Sequence, residues 1–140
     1  MGTREDRSGN ELARALTEHG FRVVDRRIVP DGIPPVSEAL RDLSTGFAGV
    51  IVTTGGTGFS PTDLTPEATS NVIERGAPGL AEAMRSVNPL GRLSRGIAGS
   101  VGACLILNVP GSPGGAVESL LAVEDVLGHV LELLSGGQPH

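Results

Sequence analysis

The 140-residue chain has no lysine, tryptophan or tyrosine, a single cysteine and only three phenylalanines. All eleven basic residues are therefore arginine, which excludes a catalytic lysine. With aromatics at 2%, the core must be built from Leu, Val, Ile and Ala, and there is little platform on which bases could stack. The net charge of −5 also disfavours a phosphate backbone, so nucleic acid is not expected as a partner. One cysteine rules out an internal disulfide and a cysteine metal cluster. Cys104, in the run Ala103-Cys104-Leu105-Ile106-Leu107, reads as a small buried hydrophobe. No signal peptide or long apolar run is present, so no membrane partner is expected and the cytoplasm is the expected location. At 14.3 kDa the chain reads as one domain over residues 1–140, able to bury roughly two-thirds of its unfolded surface.

What the chain does have is glycine, and its most informative stretch runs from Thr53 to Glu67. The apolar run Gly49-Val50-Ile51-Val52 predicts a strand buried on both faces, and it leads straight into Thr54-Gly55-Gly56-Thr57-Gly58. Three glycines let successive amides approach a ligand and form an anion-binding nest, while Thr54, Thr57 and Ser60 add hydroxyl donors. Thr65 reads as a helix N-cap, with Pro66 at the first helical position and Glu67 in the first turn. Asp63 is unfavourable beside an anion. Either a cation sits there, or Asp63 turns back to cap the loop.

Elsewhere the pattern alternates. Ser8 and Glu11 read as a capping box for a helix that Gly20 stops. Phe21 to Val29 reads as a strand ended by Pro30-Asp31-Gly32, and a helix follows near Val36 to Leu43. A helix is expected from Pro66 to about Arg75, a short one over Leu80 to Arg85, and loop from Ser86 to Gly102. Ala103 to Val109 is a second buried strand, ending in Asn108-Val109-Pro110-Gly111-Ser112-Pro113-Gly114-Gly115. Ser112 as N-cap and Pro113 at the first helical position begin the last helix, whose buried side runs from Val117 to Leu134. The tail from Gly136 to His140 reads as frayed, and His19 and His129 as exposed helix residues.

Such alternation predicts an α/β fold with a mostly parallel sheet covered on both faces. Two strand-to-helix turns are built alike. If their strands are neighbours, two helix N-termini converge on one pocket suited to a phosphorylated small molecule. Neither turn matches the lysine-containing P-loop or the GxGxxG fingerprint.

The segments Thr54 to Glu67, Pro78-Gly79 with Met84-Arg85, Leu93-Ser94-Arg95-Gly96 and Asn108 to Pro113 resemble the molybdenum-cofactor biosynthesis family of MogA, MoaB and the gephyrin G domain. The resemblance covers nearly the whole chain. It implies a three-layer α/β/α fold with a mostly parallel central sheet, a homotrimer or hexamer, and Mg²⁺-dependent transfer of AMP from ATP to molybdopterin with release of diphosphate. By position, Asp63 and Asp31 match the family's two acidic residues and would hold Mg²⁺. The Gly55, Gly56, Thr57 and Gly58 amides would cradle phosphate beside Thr54, Thr65 and Glu67. Ser94, Arg95, Asn108, Pro110, Gly111 and Ser112 would contribute to the pterin and its phosphate. Arg95 remains open between a phosphate fork and an ion pair, and Asn108 between a ligand contact and a buried strand-end residue. The same resemblance also leaves open pterin or nucleotide binding without turnover, and an oligomerising scaffold.

Asp6-Arg7-Ser8-Gly9 also matches the family, where a buried strand normally comes before it. Here only Met1 to Glu5 precede it. The expectation is an absent first strand, reduced stability and a partly open pocket.

Overall fold

The computed structural model describes residues 6–136. Helix α1 (Arg7–Glu18) is capped by Asp6, whose carboxylate accepts from the Gly9 amide at 3.1 Å. Ser8 is therefore not the cap and the expected capping box does not form. The Ser8 hydroxyl donates instead to the carbonyl of Gly111, far away in sequence. Gly20, at φ +89°, ends this helix in the left-handed conformation that glycine adopts without a Cβ penalty. Helix α2 (Ile33–Ser44) follows Gly32, with two prolines in its first turn, and buries Ser37 and Leu40.

Strand β1 (Gly49–Thr54) pairs in parallel with β4 (Cys104–Val109), in a register running from Gly49 opposite Cys104 to Thr54 opposite Val109. Between them in sequence lie α3 (Thr65–Ser70), β2 (Arg75–Gly76), α4 (Pro78–Ser86), a 3-10 turn at Pro89–Leu93 and β3 (Ala98–Val101). Helices α5 (Pro113–Leu121) and α6 (Glu124–Leu134) complete the described chain. The sheet order is β1-β4-β3-β2. Strand β3 pairs antiparallel with β4, because only Gly102 and Ala103 separate them, too few residues for a parallel crossover, and β2 pairs antiparallel with β3.

Side chains of β4 alternate between two cores, as the period-two geometry of a strand requires. Leu105, Leu107 and Val109 join Leu12, Met84, Leu120 and Leu127 on the face covered by α1, α4, α5 and α6. Cys104 and Ile106 join Leu40, Ile51 and Val72 on the face of α2 and α3. The expected three-layer α/β/α class is thus observed, but the sheet is mixed rather than mostly parallel: among the described strands only the β1–β4 pairing is parallel. Cys104 is fully buried, donates to the Phe47 carbonyl at 2.9 Å, and burial pushes its thiol pKa up. It is the small buried hydrophobe expected.

Four local expectations give way to tertiary contacts. Phe21 to Val29 forms no strand: residues 22–31 take part in no backbone–backbone hydrogen bond among the described residues. A ladder needs a neighbour within about 5 Å, and here a cavity of about 800 Å³ lies between this segment and the free edge of β1. Helix α3 stops at Ser70 rather than near Arg75, because Val72 and Ile73 turn into the second core and the Glu74 amide donates to Ser100 on β3 at 2.8 Å. Residues 98–101, expected as loop, form β3. Gly99 is required there, since a Cβ would meet the Arg75 carbonyl at 2.7 Å. The last helix is broken at Ala122-Val123, and the Glu124-Asp125 pair in the first turn of α6 favourably meets a new helix N-terminus.

Among the described residues β1 is the edge of the sheet, and a cavity lies beside it. The expectations for Met1 to Glu5 and for the last four residues lie outside the described segment.

Candidate functional site

Because β1 and β4 are parallel neighbours, their two glycine turns leave the sheet at the same end, where open α/β sheets place ligands. The turns are joined to each other. The Thr54 hydroxyl donates to the Pro110 carbonyl at 2.9 Å and the Gly55 amide to the Val109 carbonyl at 3.1 Å. Gly55 and Gly111 touch backbone to backbone, so closely that a Cβ on Gly111 would lie 3.3 Å from the Cα of Gly55. The two turns are therefore neighbours, as expected for adjacent strands, but the cavity is lined by Thr54, Gly55, Gly56 and Thr65 and by no residue of the second turn.

Each turn has its own internal order. Gly55 and Gly56 take φ of +90° and +69°, which turns the chain back so that the Thr65 amide donates to the Gly56 carbonyl at 3.1 Å. Thr65 is not the N-cap expected: Leu64 occupies that position and Thr65 lies inside the helix, its hydroxyl packed where a Cβ on Gly56 would fall. In the second turn Ser112 is the N-cap of α5, accepting from the Gly115 amide at 3.3 Å, with Pro113 behind it as expected. Gly111 and Ser112 are exposed.

Arg95 organises the first turn. Its amide donates to Thr57 O at 2.7 Å, its Nε to Gly58 O at 2.7 Å, and one terminal nitrogen to Asp63 O at 2.6 Å. The other terminal nitrogen meets Glu67 Oε2 at 2.6 Å, and its guanidinium carbon lies 5.9 Å from the Phe59 ring centre. Hydrogen bonding to Arg95 holds the Glu67 carboxyl below its ordinary pKa, and the same contact raises that of Arg95. Ser94 accepts from the Gly96 amide at 3.1 Å, while Arg85 donates to the Gly96 carbonyl at 2.6 Å and so steadies this turn.

Asp63 turns back to cap its loop, one of the two alternatives: Oδ2 accepts from the Ser60 amide at 3.0 Å. Its other carboxylate oxygen takes no hydrogen bond among the described residues. Asp31, exposed before α2, lines the cavity together with Thr54, Gly55, Gly56 and Thr65; Asp63, Ser94 and Arg95 do not. No group of three or more His, Cys, Asp or Glu side chains is placed to hold a metal among the described residues.

Asn108 is a buried strand-end residue whose side chain is hydrogen-bonded inside the protein. Only 2% exposed, it donates to the hydroxyls of Thr53 and Thr69 at 2.9 and 3.0 Å and accepts from the Ile97 amide at 3.1 Å. Its partners are hydroxyls from β1 and α3 brought together only by folding, so no local pattern announces them. Ser8, which holds Gly111, was legible only as a helix cap for the same reason.

Two glycine turns joined across a parallel strand pair, in an α/β/α domain, stand at the sheet end where proteins of the open α/β class place their ligands. The family model described as a probable molybdopterin binding domain matches residues 1–129, and the chain belongs to that family. It is 38% identical over 113 residues to the molybdopterin adenylyltransferase of Haemophilus influenzae, covering 77% of this chain and 57% of that one. The match to the molybdopterin adenylyltransferase of Helicobacter pylori strain J99 is 34% over 142 residues, covering 96% and 81%. The chain thus spans little more than half of the Haemophilus relative. Among solved structures, a MogA structure superposes with a TM-score of 0.87 at 46% identity, covering 94% of this chain and 89% of that one. The molybdopterin biosynthesis enzyme MoaB of Thermus thermophilus gives 0.88 at 45%, covering 97% and 88%.

Proposed function

We propose that this protein is a molybdopterin adenylyltransferase acting in molybdenum cofactor biosynthesis. A phosphate oxygen of molybdopterin attacks the α-phosphorus of ATP, the bond from that phosphorus to the β-phosphate bridge breaks, and diphosphate leaves. The observation that carries this reading is the joining of the two glycine turns through Thr54, Gly55, Val109 and Pro110, which supports two phosphorylated ligands side by side.

The nucleophile is already deprotonated, so no strong general base is required. The barrier lies in bringing anions together, and positioning with charge neutralisation lowers it. The Gly55 to Gly58 backbone would hold phosphate, with Thr54, Thr57, Thr65 and Glu67 fixing the turn. Pro110, Gly111 and Ser112 would hold the second ligand, with Ser94 at its side. Mg²⁺ takes oxygen ligands and completes its shell with one or two carboxylates, waters and phosphate oxygens, so the free oxygen of Asp63 and the exposed Asp31 suit it in chemistry. When bound, the ion would neutralise phosphate charge. The proposed working form is a cytoplasmic homotrimer.

The test is ATP-dependent formation of adenylyl-molybdopterin, followed by mass spectrometry and diphosphate release. Asp63→Asn and Asp31→Asn are each expected to lose most activity; full activity in both would sink the assignment. A second reading, ligand binding without turnover, is favoured by the cavity along the open edge of β1, which leaves the Asp31 side less enclosed. Calorimetry showing pterin binding without diphosphate release would select it.

A further inference from the structure

We infer that Arg95 is a positioning residue for Asp63, and that its guanidinium holds the loop rather than a substrate phosphate. This rests on the reading of Asp63 as the acidic residue of the transfer site.

The loop from Thr57 to Asp63 leaves the sheet and returns to α3 with only short-range bonds of its own: Asp63 N to Ser60 O at 2.9 Å, Ser60 N to the Asp63 carboxylate at 3.0 Å, the Ser60 hydroxyl with the Thr62 hydroxyl at 3.2 Å, and Thr62 N to the Ser60 hydroxyl at 3.4 Å. Arg95 takes the carbonyls at both ends of that excursion, Thr57 and Gly58 on the way out and Asp63 on the way back. A planar fork with donors at fixed angles suits this, and a lysine ammonium on a flexible stem does not reproduce it. Both terminal nitrogens also reach Glu67, at 2.6 and 3.3 Å, which anchors the fork to the first turn of α3 and balances its charge. A guanidinium already held by a carboxylate and two carbonyls offers little to a phosphate. What it does determine is the direction in which Asp63 presents its unbonded oxygen.

The loop can be read without any ligand by amide hydrogen exchange on the protein alone. In Arg95→Lys the amides of Ser60, Asp63 and Thr65 are expected to exchange at least about tenfold faster, with the β4 amides unchanged. Unchanged loop exchange would overturn the inference. In the transfer assay the same variant is expected to lose about 100-fold in kcat and to need about tenfold more Mg²⁺ for half-maximal rate, while KM for molybdopterin stays within about twofold. A tenfold rise in KM with kcat intact would mark Arg95 as a substrate ligand and overturn the inference. Glu67→Gln, which keeps the shape of the anchor and removes its charge, is expected to move each readout in the same direction by a smaller factor; it carries the test should Arg95→Lys not fold. Absence of transfer in the unaltered protein would defeat the proposed function, and the exchange measurement would still decide the role of Arg95.

Discussion

The two strands that carry the glycine turns stand in opposite circumstances. Strand β4 has a partner on each side and is buried along its whole length, whereas β1 has β4 on one side and a cavity of about 800 Å³ on the other. The difference passes to the acidic residues. Asp63 is held from the β4 side, through Arg95 and the loop carbonyls. Among the described residues Asp31 ends a segment without backbone hydrogen-bond partners, tied down by side-chain bonds that include Arg26 to Asp6 at 2.9 Å, Arg26 to Asn10 at 3.0 Å and Arg27 to Asp42 at 2.6 Å. Exposed ion pairs of this kind contribute little to stability. Two carboxylates that the proposed chemistry uses together are therefore held with unequal stiffness.

The contrast is broken most directly in the core. Leu107→Ala should cost about 3 kcal/mol in urea denaturation, and Val52→Ala, its register partner on the open strand, less than half of that. Equal losses would mean that the cavity side is as well packed as the β4 side. Asn108→Leu comes next, at about 2 kcal/mol, because it strands the Ile97 amide, the buried Thr69 hydroxyl and the half-buried Thr53 hydroxyl. Removing both Arg26 and Arg27 as alanines is expected to change stability little, with faster cleavage of the Arg22 to Val29 segment by a protease that does not require arginine. Resistance equal to the parent would show that the segment is held by something other than these pairs.

The smallest effect concerns pH. Arg95 depresses the Glu67 pKa in the folded state, so its contribution is present above the ordinary glutamate value and fades as pH falls through the lowered one. Glu67 is 42% exposed, so screening keeps this small. Denaturation midpoints of Glu67→Gln should fall less steeply than those of the parent between neutral and acid pH. Identical slopes would separate Glu67 from the brace.

Much of the site was legible because its signals are local. Gly55 and Gly56 had to be glycine for positive φ, and Ser112 with Pro113 announced a helix start that formed where expected. Thr65 and Ser8 carried equally good cap signals and serve elsewhere: the Ser8 hydroxyl is taken by the distant Gly111 carbonyl, and Thr65, its amide bonded to the Gly56 carbonyl, lies one position inside its helix. Arg95 and Asn108 were open choices in sequence, since both act through partners separated from them in the chain.

Composition and periodicity by themselves determined the α/β class, an aliphatic core, strands near Gly49 to Val52 and over Ala103 to Val109, and the glycine turns that follow them, although the first of these strands, expected to be buried on both faces, buries only Gly49 and Ile51. Those properties follow from the reach of one or two turns of chain. Which strands are neighbours, that β3 and β2 add antiparallel, that β1 faces a cavity, and that Arg95 grips the loop holding Asp63 were decided only in three dimensions. Hydrogen bonds between residues about 30 to 60 positions apart leave no period in a sequence, because the two ends meet only after the layers have closed on one another.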